Sequence, residues 1–141
     1  VLAPGTLNHI VSRLSYHHLL YVILKERLGK IVVAYTYEGK PVTVNSGYRG
    51  PELNKAVNGA KNSQHCKGEA LDIEIKGISN YDLALWIKNN LDFDQLILEY
   101  ADNLQKDINS GWVHISYKAN GQNRHQVLTI NKSGTRVGLV K

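Results

Sequence analysis

The sequence predicts an α+β fold: a single domain with a mostly antiparallel sheet flanked by helices. Three observations carry this. Apolar residues recur at helical spacing near the start, short alternating or β-branched runs dominate from residue 31 onward, and one further helical segment interrupts them near residue 80. With 43% hydrophobic and 21% charged residues the 141-residue chain is globular in composition and long enough for one core. No repeat, low-complexity segment or linker divides it, so one domain is expected over residues 1–141.

Leu7, Ile10, Val11, Leu14, His18, Tyr21 and Val22 follow the i, i+3, i+4 recurrence of an amphipathic helix. Thr6 is its natural N-cap and Gly29 its C′ residue, giving a scaffold helix over about 6–29. His17 and His18 lie on adjacent faces of it and suit structural or solvated roles. Ile31 to Tyr37 and Pro41 to Val44 read as a hairpin around the Glu38-Gly39 turn, feeding the loop Ser46-Gly47-Tyr48-Arg49. Pro51 suits the first turn of a short helix from Glu52 to about Val57, and residues 58–63 are a loop by composition.

From Ala70 to Ile75 the pattern alternates, with Leu71, Ile73 and Ile75 on one face and Ala70, Asp72 and Glu74 on the other. Ser79, with Asp82 three residues on, caps a helix carrying Leu83, Leu85, Trp86 and Leu91. Phe93 to Tyr100 is the next strand, with Gln95, Ile97 and Glu99 sharing a face; residues 102–111 are an exposed loop. Trp112, His114 and Ser116 share one face of the strand from Trp112 to Tyr117. Gln126 to Ile130 is a further strand, and the tail from Lys132 is a turn with a short extended end.

The formal net charge is +5 and the isoelectric point about 9.3, which draws anionic partners such as nucleic acid or an anionic cell wall. The basic residues are dispersed, without a run of five, and that argues against a nucleic-acid arm. A single cysteine, Cys66, excludes an internal disulfide framework. No run of 18 apolar residues and no leader pattern is visible, so no membrane span is expected.

His65 just before a strand, Asp72 within it and His114 within another can converge on one sheet face. Two imidazoles and a carboxylate with an open fourth position suit a catalytic zinc ion. A His-to-Asp separation of seven also arises by chance. On spacing alone the plainer reading, a strand-end His and a solvated Asp, is the better supported.

The segments SGYRGPELNKAVNGAKNSQHCKGEALDI (46–73), FDQLILEY (93–100), WVHISY (112–117) and NRHQVL (123–128) together resemble the zinc D-Ala-D-Ala carboxypeptidase family of peptidoglycan peptidases. That family shares its fold with the hedgehog signalling domain and includes many phage endolysins. The resemblance covers roughly residues 30–130, which makes that span the catalytic core.

It implies one zinc ion per chain held by His65, Asp72 and His114, with Arg49 stabilising the charge that develops on the scissile carbonyl, Tyr48 meeting substrate, and Ser63 either meeting substrate or capping the loop. Several branches of the family place an acid three residues before the last histidine, where this chain has Gly111. The branch with a Leu-Ile-x-Glu strand, matched by Leu96 to Glu99, points to Glu99 as general base, with Glu69, Glu74, Asp102 and Asp107 as alternatives. Cys66, adjacent to a ligand in sequence, points away from the site in an extended segment and reads as a buried or idle thiol.

The implied function is a monomeric metallopeptidase that cuts the peptidoglycan peptide stem, as a D-Ala-D-Ala carboxypeptidase or an L-Ala-D-Glu endopeptidase. An origin as a phage endolysin, made in the host cytoplasm and released at lysis to act on the cell wall, follows by analogy. The alternative is a non-catalytic, zinc-containing cell-wall-binding module of the same fold.

Overall fold

The computed structural model describes residues 42–118 and 122–141, Lys40, and the backbone of residues 22–24 and 31–33. In chain order its elements are β1 (Val22–Leu24), β2 (Ile31–Val33), β3 (Val42–Ser46), α1 (Pro51–Ala56), a 3-10 turn (Gln64–Lys67), β4 (Ala70–Ile75), α2 (Asn80–Asn90), β5 (Gln95–Glu99), β6 (Trp112–Ser116), β7 (Gln126–Asn131) and β8 (Gly134–Val137). The main sheet has the order β3-β4-β6-β5-β7-β8, and every neighbouring pair is antiparallel except β5 with β7. This is the expected α+β architecture.

The register explains how the sheet sorts its side chains. Asp72 stands opposite His114, and His114 opposite Ile97, so these three share one face. The other face presents Leu71, Ile73 and Ile75 of β4, Leu96 and Leu98 of β5, and Val113 and Ile115 of β6. All are buried in one cluster with Leu83, Ala84 and Ile87 of α2. Burying each large aliphatic side chain is worth roughly 1.5–3 kcal/mol, so the apolar face fixes the register.

The cap of α2 matches the sequence pattern: Ser79 Oγ accepts from the Asp82 N–H at 3.0 Å and donates to Asp82 Oδ2 at 2.6 Å. Polar anchors tie the exposed 102–111 loop down. Asn109 Nδ2 donates to the Ile75 and Ile78 carbonyls, each at 2.9 Å, and buried Asn80 donates to those of Ser110 and Gly111, each at 3.0 Å. The chain therefore enters β6 at a defined angle.

One expectation is corrected. The helix expected over about 6–29 does not extend through Val22–Leu24, which is a strand antiparallel to Ile31–Val33; the rest of that span lies outside the described residues, as do His17 and His18. Three consecutive apolar residues satisfy a helix face and a strand equally well, and the β-branched run at 31–33 supplies a ladder partner. Of the expected hairpin, the described part of the first strand, Ile31–Val33, pairs with β1 and β3 pairs with β4, Val42 facing Ile75 and Val44 facing Ile73, while residues 34–39 lie outside the described residues. Among the described residues no helix is long and apolar enough to cross a membrane.

Asp94 fastens one end of the sheet. Its backbone N–H donates to Ser116 at 2.7 Å, and its carbonyl accepts from Gln126 at 3.0 Å. Its fully buried carboxylate accepts from the Arg124 N–H at 3.1 Å and Nε at 3.0 Å, and pairs with Lys118 Nζ at 3.1 Å. Burial pushes this carboxyl up, but the hydrogen bonds from Arg124 and Lys118 outweigh it and hold the group at about 2, below the ordinary 3.8. A depressed pKa stabilises the fold above the unfolded value and ceases to do so as pH falls through the folded one, a contribution of about 2 kcal/mol. Unfolding free energies of Asp94→Asn and the parent protein, from urea denaturation, are expected to differ by about that amount at pH 6 and to converge as pH falls from 4 towards 2; a gap independent of pH contradicts the assignment.

Candidate metal centre

Each of the three expected ligands is delivered by a different local device. Ser63 caps the 3-10 turn by accepting from the His65 N–H at 3.3 Å, and Gly68 ends it in a left-handed conformation (φ 69°), so the chain turns from His65 straight into β4. Asp72 and His114 come from facing positions of β4 and β6. A register shift between Val44 and Ser46 sets Ser46 opposite Asp72, beginning the loop that carries Arg49.

The three side chains converge tightly. His114 Nδ1 lies 2.9 Å from Asp72 Oδ1, and His65 Nε2 lies 3.2 Å from both Asp72 Oδ1 and His114 Nδ1. All three residues are more than nine-tenths buried. His65 Nδ1 sits 2.8 Å from the Gly47 carbonyl, which can only accept, so that nitrogen carries the proton and Nε2 presents a lone pair. While both rings are neutral, three electron-pair donors meet with at most one proton between them.

That donor set fits a cation. Tetrahedral zinc with bonds of about 2.0–2.2 Å spaces its ligands roughly 3.3–3.6 Å apart, a few tenths of an ångström beyond the separations found. Cys66, half-buried, stands outside the group. Burial pushes Asp72 up, yet its close contacts with the His114 and His65 imidazoles outweigh it and hold the carboxyl at about 2, so it is anionic near neutral pH.

Arg49 is held over this cluster from several sides. Its backbone N–H donates to the His65 carbonyl at 3.1 Å, Nη2 donates to Ser46 Oγ at 3.0 Å, and Nη2 lies 3.6 Å from Asp72 Oδ2. With the His65–Gly47 bond this makes a reciprocal clasp between the 46–49 loop and the 3-10 turn. The clasp fixes both the ring tautomer and the guanidinium.

The ligands, Arg49, Ser63 and Glu99 all line one cleft of about 910 Å³. Glu99 is held above the ordinary carboxylate range, chiefly by burial. Of the acids weighed for the base, Glu99 lines the cleft, whereas Glu69, Glu74, Asp102 and Asp107 do not. Glu69 instead accepts from Gln64 at 3.5 Å. Tyr48 is about half exposed and is not among the cleft residues, so the structure does not bring it to the site.

Gly111 explains its own departure from the family pattern. Its φ is +71°, and a Cβ there would lie 1.9 Å from the Glu99 carbonyl oxygen and 2.5 Å from the Tyr100 carbonyl carbon. No side chain fits, so an acid at this position is sterically excluded. The backbone that excludes it belongs to Glu99 itself. Sequence reasoning missed other cleft residues, among them Gln95, Trp112, Lys118 and Arg124. The NRHQVL segment was the one signal pointing to Arg124.

A family model described as Peptidase M15 matches residues 20–116, more than half of the chain, and spans Arg49, His65, Asp72, Glu99 and His114. No curated protein matches the chain.

Because the positive φ and the contact with the Glu99 carbonyl both oppose a Cβ, Gly111→Ala is expected to cost about 2 kcal/mol or more. Urea denaturation measures it. A change below about 0.5 kcal/mol, the ordinary range for a surface substitution, contradicts the packing described.

Proposed function

The chain belongs to the peptidase M15 family, the zinc D-Ala-D-Ala carboxypeptidase family, and is accordingly a peptidase; from that premise we propose that it is a zinc metallopeptidase hydrolysing a peptide bond of the peptidoglycan stem. The observation that carries this reading is the convergence of His65 Nε2, Asp72 Oδ1 and His114 Nδ1 in a cleft that Arg49 and Glu99 also line.

A zinc ion held by those three atoms supplies Lewis acidity, polarising the scissile carbonyl and lowering the pKa of a water towards about 7. The chain's own residues do the rest. Glu99 takes a proton as the water oxygen bonds to the carbonyl carbon, and returns it to the amine nitrogen as the carbon–nitrogen bond breaks. Its burial suits the first half of this cycle, because a carboxylate with a raised pKa takes up a proton more readily than it would in bulk water. Arg49, kept in place by Ser46 and the His65 carbonyl, stabilises negative charge on the carbonyl oxygen; such donors are commonly worth about 3 kcal/mol. His65 keeps its Nε2 lone pair on the cluster because Gly47 holds the proton on Nδ1.

The bond cut is D-Ala-D-Ala at the stem's end or L-Ala-D-Glu near its root. A net charge of +5 favours contact with an anionic cell wall, in keeping with a role as an endolysin acting there. Gly111 lends no support to a non-catalytic wall-binding module, because steric exclusion accounts for the missing acid.

Mass spectrometry of muropeptides incubated with zinc-loaded protein tests the proposal. The expected products carry a new free amine or have lost D-Ala, and a chelated control forms none. Glu99→Gln is expected to retain one zinc per chain and lose about 10²–10⁴-fold in kcat. Intact muropeptides, or full activity in Glu99→Gln, contradict the substrate and the base assignment respectively.

A further inference from the structure

One feature of the cleft has no part in the chemistry above: two cations on its wall that share a single buried carboxylate. Lys118 and Arg124 both line the cleft that holds the ligand triad. Asp94 Oδ1 is 3.1 Å from Lys118 Nζ, and the Arg124 guanidinium grips both Asp94 oxygens, with Nε 3.0 Å from one and 3.1 Å from the other. Among the described residues neither cation has a second carboxylate within ion-pair distance. One negative charge therefore faces two positive ones, and one positive charge is unmatched.

The arrangement is rigid where it must be and open where a ligand would enter. Asp94 is fully buried, while the side chains of Lys118 and Arg124 keep 29% and 49% of their surface in solvent. Asn123 ties down the Lys118 backbone, accepting from its N–H at 2.8 Å and donating to its carbonyl at 3.0 Å. A fixed pair of donors with one uncompensated charge is the usual recognition element for a carboxylate.

Register gives the position relative to the bond that is cut. Ile97 stands opposite His114 and Gln95 opposite Ser116, with Glu99 towards the other end of β5. Glu99 and the cationic pair thus flank the triad on opposite sides along the strands. Ser116 is about 7 Å of extended backbone from His114, and Lys118 follows two residues later. That leaves room for one or two peptide residues between the scissile carbonyl and these cations.

We propose that Lys118 and Arg124 form a specificity subsite for a free carboxylate on the substrate, one or two residues from the bond hydrolysed. This rests on the peptidase reading and narrows it. The carboxylate is either the stem's C-terminal group or the free α-carboxylate of its isoglutamyl residue, and amidation abolishes either one.

The experiment compares four synthetic stem peptides: free acid and amide at the C-terminus, each with isoglutamate or isoglutamine. For each, kcat/KM is measured with zinc-loaded enzyme and equilibrium binding with zinc-loaded Glu99→Gln protein. The parent is expected to favour one free carboxylate over its amide about tenfold, and the pair showing the preference identifies which carboxylate is read. Lys118→Gln, which keeps the Arg124–Asp94 pair, is expected to bring that ratio to within about twofold, and Lys118→Arg to restore it. Lys118→Met serves if Lys118→Gln does not fold. Lys132→Gln, on an exposed turn away from the cleft, removes the same charge and is expected to keep the preference.

No acid preference in the parent, or one that survives Lys118→Gln, overturns the subsite. Equal loss in Lys132→Gln overturns it too, by assigning the effect to overall charge. If no peptide is cut while binding still discriminates acid from amide, the subsite stands and the peptidase reading falls.

Discussion

Asp72 and His114 face each other across one rung of β4 and β6, and the functional geometry hangs on that pairing. A slip of one residue in either strand would turn its ligand into the apolar layer under α2 and bring an aliphatic side chain to the cleft. The register is held mainly by the opposite face, where Leu71, Ile73, Val113 and Ile115 pack with Leu83 and Ile87. Core and site are thus two readouts of a single alternation. Any substitution that loosens the core face threatens the ligand set without touching it.

The polar face then separates two carboxylates by environment. Asp72, bonded by two imidazoles and near Arg49, is held far below the ordinary range despite its burial. Glu99 has no such partners to outweigh burial and is pushed up. One group is fixed as an anion and suited to holding a cation, while the other binds a proton more readily than a free carboxylate does. Arg49 ties the 46–49 loop to the 3-10 turn, since its backbone N–H donates to the carbonyl of His65.

Much of this was legible in the sequence where side-chain period and capping chemistry agree. β4 spans Ala70–Ile75 as its alternation required, and α2 begins after Ser79 as its capping pattern required. The face shared by Trp112, His114 and Ser116 followed from period alone. The segment at 22–24 was misread because a three-residue apolar run has no period of its own to separate helix from strand. Gly111 was visible as a departure, but its cause was not, because the obstruction is the backbone oxygen of Glu99, distant in the chain and brought close only by the β5–β6 pairing. Lys118 was unreadable for a similar reason, since Asp94, the partner it shares with Arg124, is distant in sequence, and Arg124 was signalled by the NRHQVL segment alone.

Three side chains with at most one proton between them are suited to hold a metal ion, and the coordination sphere of bound zinc tests this most directly. X-ray absorption fine structure of protein loaded with one equivalent of zinc is expected to show a first shell of nitrogen and oxygen alone at about 2.0–2.2 Å, with the outer-shell scattering of two imidazoles. A sulfur scatterer at about 2.3 Å, which would place Cys66 on the metal, or a shell without imidazole, would contradict it.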